Sequence, residues 1–116
     1  MDPSTTTTAT IFGVRLHELP SWERLRQACE GFLDGDHTFR IFTPNPEILL
    51  LAREDPGFAE VLNAADLALP DGSGVALLES LRERRRVRRW PGVEIGGVLM
   101  SLAAERRATV VFLGGA

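Results

Sequence analysis

The stretch Phe39-Arg40-Ile41-Phe42-Thr43-Pro44-Asn45-Pro46-Glu47 decides the fold. Its first four residues are a short apolar run broken only by Arg40, which reads as a buried strand. The other five are punctuation. Asn45 is a good helix cap, Pro46 suits the first helical position, and Glu47 adds negative charge where the helix dipole favours it. A strand that passes through a polar turn into a helix is a β–α unit. The pattern recurs downstream. Asp55-Pro56 repeats the cap and proline, and Phe58, Val61, Leu62 and Ala65 are expected to face inward. Leu67 to Leu69 then forms a short buried strand that empties into the turn Pro70-Asp71-Gly72-Ser73-Gly74.

Outward from this centre, Met1 to Thr8 is expected to be a disordered leader, with Thr5 to Thr8 of low complexity. Ala9 to Leu16 places Ile11, Phe12, Val14 and Leu16 around Gly13 and reads as a short strand or hairpin arm. Pro20-Ser21 announces a helix capped by Ser21, with Trp22, Leu25, Cys29 and Phe32 on one face and Gly35 at its end. On the other side, Val75 to Leu81 reads as helical, and an arginine run follows. Trp90-Pro91-Gly92 breaks the chain. Ile95 to Glu105 is a last helix, weakened at Gly96-Gly97 by about 1 kcal/mol per glycine. Thr109 to Leu113 reads as a final strand. Strands that alternate with helices predict a parallel sheet with helices on both faces, a three-layer α/β fold. The chain stops at Gly114-Gly115-Ala116, just after the last strand. The expectation is therefore one α/β domain over residues 9–116, truncated, forming the front part of a longer protein.

Composition narrows the classes of function. The chain has 116 residues, a formal net charge of −3, one cysteine and 44% hydrophobic residues. That length suits one domain with one modest core. One cysteine excludes a disulfide framework or a cysteine-rich zinc site. No stretch approaches the roughly 18 uninterrupted apolar residues of a membrane helix. No secretory signal is readable at the start, so a reducing cytosolic setting is expected. All 13 basic residues are arginine, and six of them lie between Arg82 and Arg89. The rest of the chain is acidic, so any anionic partner must meet that cluster.

In open α/β sheets, ligands bind outside the carboxyl ends of the strands. Thr43 to Glu47 and Pro70 to Gly74 occupy two such ends. Asp71 is either an ordinary Asp-Gly turn residue or a general base, placed where small neighbours let it approach a hydroxyl. Thr43 and Asn45 are helix-capping residues, ligand-binding residues or both. Arg82 to Arg86 either complement a helix C-terminus or contact a phosphate-rich partner. Arg88 and Arg89 precede the Trp90-Pro91-Gly92 break, where an arginine can bind a diphosphate through paired N–H donors. Asp34-Gly35-Asp36 precedes a strand and reads as a turn rather than a metal motif. His17, His37 and Cys29 are assigned no chemistry.

Thr43-Pro44-Asn45-Pro46-Glu47, Leu51-Ala52-Arg53 with Asp55-Pro56-Gly57-Phe58, Leu62-Asn63-Ala64-Ala65-Asp66-Leu67, Pro70-Asp71-Gly72-Ser73-Gly74-Val75, Arg89-Trp90-Pro91-Gly92 and Phe112-Leu113-Gly114-Gly115 occur in that order. Together they resemble the WecG/TagA/CpsF glycosyltransferases, whose fold is Rossmann-like. The resemblance implies an inverting bacterial hexosyltransferase without a metal or other cofactor. It implies a UDP donor carrying an N-acetylhexosamine-type sugar such as N-acetylmannosamine, and an undecaprenyl-diphosphate-linked sugar acceptor. The products would feed teichoic acid or another surface polysaccharide. It implies a cytoplasmic enzyme, peripheral on the inner face of the plasma membrane, and no nucleic-acid partner. Asp71 matches the catalytic base; Thr43, Asn45, Gly72 and Arg89 match substrate-binding positions. Glu94 stands where the family's arginine loop carries Asp, and Gly96-Gly97 is an unusual choice for the helix that follows. An open sheet edge offers a route to homo-oligomers. The rival reading is a non-catalytic module that holds a phosphate-rich partner through Arg82 to Arg89. Few aromatics interleave with that cluster, which argues against single-stranded nucleic acid.

Overall fold

A computed structural model describes residues 7–71 and 90–114. Near its start the chain reverses at Phe12 and Gly13, whose φ angles are +52° and +81°. Two consecutive positive φ values define the tight turn whose twist matches a hairpin. Strand β1 (Thr7–Ile11) therefore pairs antiparallel with β2 (Val14–Glu18), and Ile11 lies opposite Val14. The region around Gly13 is thus two strands and a turn, not one strand. A bulky residue seldom adopts the left-handed region. Phe12 does so with its ring facing Arg53, whose guanidinium carbon lies 5.4 Å from the ring centroid. β1 begins at Thr7, inside the stretch expected to fray.

The helix signals act as the sequence predicts. Helix α1 (Trp22–Asp34) starts at Ser21, whose hydroxyl accepts from the Arg24 N–H, and ends where the Gly35 N–H donates to the Phe32 carbonyl. Helix α2 (Pro46–Glu54) starts at Asn45, whose side chain accepts from the Ile48 N–H. Helix α3 (Pro56–Asn63) starts at Asp55, whose side chain accepts from the Phe58 N–H. Each cap satisfies one of the amide groups that a helix start leaves without an internal partner. Val61 departs from expectation and is 55% exposed. On so short a helix the core-facing stripe is narrow: Phe58 and Leu62, four residues apart, fill it, and Val61 is turned about 100° away.

Strands β3 (Ile41–Phe42) and β4 (Leu67–Ala68) pair in parallel. The hydrogen bonding continues past them. Amide groups of Leu67, Leu69 and Asp71 donate to the carbonyls of Arg40, Phe42 and Pro44 in turn. Alternate residues of β4 face opposite ways. Ala68 joins a core with Ile11, Val14, Leu16, Leu49, Ala52, Leu62 and Ala65. Leu67 and Leu69 join a second core with Leu25, Ala28, Cys29, Trp90, Ile95 and Leu102. The first core underlies the hairpin, α2 and α3; the second underlies α1 and α4 (Gly92–Glu105). Helix α4 starts three residues before the position predicted, so Trp90-Pro91 leads directly into it. Arg26 with Glu105, at 2.6 Å, and Arg106 with Asp34, at 2.5 Å, tie α1 to the end of α4. These pairs are largely solvent-exposed, so they add little to stability.

The described residues thus form a mixed α/β fold with two small two-stranded sheets. The predicted extended parallel sheet is represented by the β3–β4 pair alone, because the first two strands turn back on each other. The predicted strand at Thr109–Leu113 does not join a sheet. Val111 and Phe112 are 84% and 77% exposed. A strand needs an edge with amide and carbonyl groups to pair with, and the outer edge of β4 is occupied. The Ala68 N–H donates to His17 Nδ1 at 2.9 Å, Pro70 has no N–H, and the Pro70 carbonyl accepts from the Trp90 N–H at 2.8 Å. The predicted helix Val75 to Leu81 lies outside the described residues.

Candidate functional site

Thr43 and Asp71 follow β3 and β4 at their carboxyl ends. Buried Pro44 and Pro70 lock the backbone beside them. Ring-fixed φ values leave these two turns little freedom. The Asp71 N–H donates to the Pro44 carbonyl at 3.1 Å, which holds the two turns side by side.

The third member of the site comes from α4. Its first residue, Gly92, donates its N–H to Asp71 Oδ2 at 3.3 Å. A Cβ built on Gly92 would stand 3.0 Å from Thr43 Oγ1 and 3.6 Å from Asp71 Oδ2. Thr43 and Asp71 therefore border the same point, although 28 positions separate them in the sequence. The Ncap residue of α4 is Pro91, whose own side chain offers no cap bond. The Asp71 carboxylate supplies that interaction from another part of the chain, where the helix dipole favours negative charge. The sequence marks Trp90-Pro91-Gly92 as a chain break and as part of the arginine-loop motif, and neither reading shows Gly92 against Thr43 and Asp71. The available signal was a Pro-Gly pair directly before an apolar helical run.

Asn45 is half-buried beside this site, and its Oδ1 accepts from the Ile48 N–H at 2.9 Å. The capping role read for it is therefore present. Trp90 is 1% exposed and meets Trp22 edge-on, with ring centroids 4.7 Å apart. Its N–H bonds to the Pro70 carbonyl, so the residue after Arg89 is joined to the residue before Asp71. Gly72, Arg89 and the rest of the arginine cluster Arg82 to Arg88 lie outside the described residues, as does the phosphate-binding surface of the rival reading.

The residues set aside from chemistry have local explanations. Asp34 pairs with Arg106, as above. His37 is exposed beside Asp36. Among the described residues, no group of three or more His, Cys, Asp or Glu could hold a metal ion. Cys29 is buried in the second core, and burial, aided by the charge of Glu30, pushes its thiol up to about 11. Such a thiol is a packing group rather than a nucleophile. Among the described residues, no helix is long and apolar enough to cross a membrane.

Comparison with known proteins places the chain in a family. The model of a family described as "Glycosyl transferase WecG/TagA/CpsF family" matches residues 9–116. A Bacillus spizizenii protein named N-acetylglucosaminyldiphosphoundecaprenol N-acetyl-beta-D-mannosaminyltransferase is 34% identical over 85 residues, which cover 73% of this chain and 33% of that protein. A Bacillus subtilis protein of the same name is 34% identical over 74 residues, covering 64% of this chain and 29% of its own length. The matched stretch spans about a third or less of these curated relatives.

Proposed function

This chain belongs to the WecG/TagA/CpsF glycosyltransferase family, and from that premise we propose that the protein carrying it is an inverting hexosyltransferase with Asp71 as its base. The donor is a UDP-linked N-acetylhexosamine such as UDP-N-acetylmannosamine. The acceptor is a sugar on undecaprenyl diphosphate, N-acetylglucosamine in the relatives' names. The convergence of Asp71 and Thr43 at the carboxyl ends of a parallel strand pair carries the reading. An α/β sheet offers its ligand site at that end.

The chemistry asks little else of the protein. The acceptor hydroxyl attacks the anomeric carbon from the face opposite UDP, forming the new C–O bond. The bond from that carbon to the β-phosphate oxygen breaks, and its electron pair leaves with UDP. The hydroxyl proton passes to the Asp71 carboxylate, which acts as general base. Thr43 and Asn45 shape the acceptor or donor pocket, and Gly72 is a further substrate-binding position. Arg89 stabilises the charge that grows on the departing diphosphate. The link from Trp90 to Pro70 supports this role, because it joins the residue after Arg89 to the residue before Asp71. The acceptor is lipid-linked, so the enzyme works in the cytoplasm, peripheral on the inner face of the plasma membrane. On this reading the β3–β4 pair is part of a Rossmann-like parallel sheet.

The test is Asp71→Asn in the complete polypeptide that carries this sequence. Sugar transfer from UDP-N-acetylmannosamine to a lipid-diphosphate N-acetylglucosamine acceptor should fall by about 10²–10⁴-fold, the typical contribution of a general base. Near-parental transfer would end the assignment of Asp71 as base.

A further inference from the structure

Glycine at position 92 is not needed for its backbone. Gly92 is the first residue of α4, and its φ is not in the left-handed region that favours glycine. Alanine is the better helix residue there. What glycine provides is space. An added Cβ would stand 3.0 Å from Thr43 Oγ1, 3.6 Å from Asp71 Oδ2 and 3.7 Å from Thr43 Cβ. The first of these is tighter than ordinary van der Waals contact. Neither neighbour gives way easily. Thr43 is β-branched and stiff at χ1, and it adjoins buried Pro44. Asp71 is held through its own N–H to Pro44 and through Oδ2 to Gly92.

We propose that Gly92 is a positioning residue for sugar transfer: its missing side chain lets the start of α4 close on Thr43 and Asp71, and its N–H fixes the Asp71 carboxylate. The inference rests on the reading of Asp71 as base. One carboxylate oxygen, Oδ2, is held from the helix. Gly96 and Gly97 lie on the same helix with nothing within 4 Å of an added Cβ, so close approach is specific to position 92.

The experiment compares Gly92→Ala, Gly97→Ala and Asp71→Asn in the complete polypeptide, using the same donor and acceptor as above. Gly92→Ala should melt near the parent temperature, because the helix preference of alanine offsets the contact with Thr43. Its kcat should fall about ten- to a hundredfold, the scale on which misplacing a catalytic group acts, with KM little changed. Gly97→Ala meets no such contact, so it should melt above the parent and keep the parent kcat. A Gly92→Ala kcat equal to that of Gly97→Ala overturns the inference, whereas an active Asp71→Asn overturns the reading beneath it. Should Gly92→Ala melt early, Thr43→Ala decides the matter. Removing Thr43 Oγ1 relieves the tightest contact, so Gly92→Ala should cost much less kcat in the Thr43→Ala background than in the parent. Equal costs in the two backgrounds overturn the inference.

Discussion

The Ala68 N–H donates to His17 Nδ1 at 2.9 Å, so a side chain of the hairpin closes the outer edge of the parallel strand pair. The bond requires an imidazole that is unprotonated at Nδ1. Burial holds the pKa of His17 below the usual 6.5, with Arg15 adding to the effect and the charge of Asp66 opposing it, while the N–H accepted from Ala68 favours the same neutral ring.

A group that is harder to protonate when folded stabilises the fold above its unfolded pKa. That contribution is present above about pH 6.5 and is lost as pH falls through the lower folded value. The melting temperature of the parent should therefore drop from about pH 7 to about pH 5, where histidine titrates. His17→Gln keeps an acceptor without the titration and should flatten this part of the profile. Thermal melts of the two proteins across that range check the prediction. Matching slopes would remove His17 as the cause.

Asn63, at the end of α3, grips the hairpin turn. Its Oδ1 accepts from the Arg15 N–H and its Nδ2 donates to the Gly13 carbonyl, both at 2.8 Å. Asn63→Ala removes both bonds at a half-exposed site, where water replaces part of the loss. The expected cost is about 1 kcal/mol. Hydrogen exchange should locate it: the Arg15 amide should lose protection before the amides of α1 do.

Capping by Asn45 separates its structural share from its share in the pocket. Asn45→Ser retains a capping oxygen and should keep most of the stability, whereas Asn45→Ala should lose about 1 kcal/mol. If Asn45 also meets the sugar, both variants should raise the donor or acceptor KM. Chemical denaturation and steady-state kinetics of the pair read the two effects apart. A serine variant with parental kinetics would confine Asn45 to capping.

Local chemistry explains what the sequence by itself determined. Ser21, Asn45 and Asp55 each start a helix because their side-chain oxygens reach an amide only two or three residues away. Gly35 ends α1 for an equally local reason. Val61 and the strand at Thr109–Leu113 show the boundary of such reasoning. Apolar character marks a residue for burial, but burial requires a surface that only the folded chain provides. Val61 turned from the core because Phe58 and Leu62 fill the short face of α3. Thr109–Leu113 joins neither sheet and stays exposed, while His17 and Trp90 hold the outer edge of β4. The candidate site divides in the same way. Strand ends and turn residues in the sequence point to Thr43, Asn45 and Asp71. The joining of Thr43 and Asp71 to Gly92 is decided by tertiary structure, because α4 is held beside the two turns by its packing in the second core.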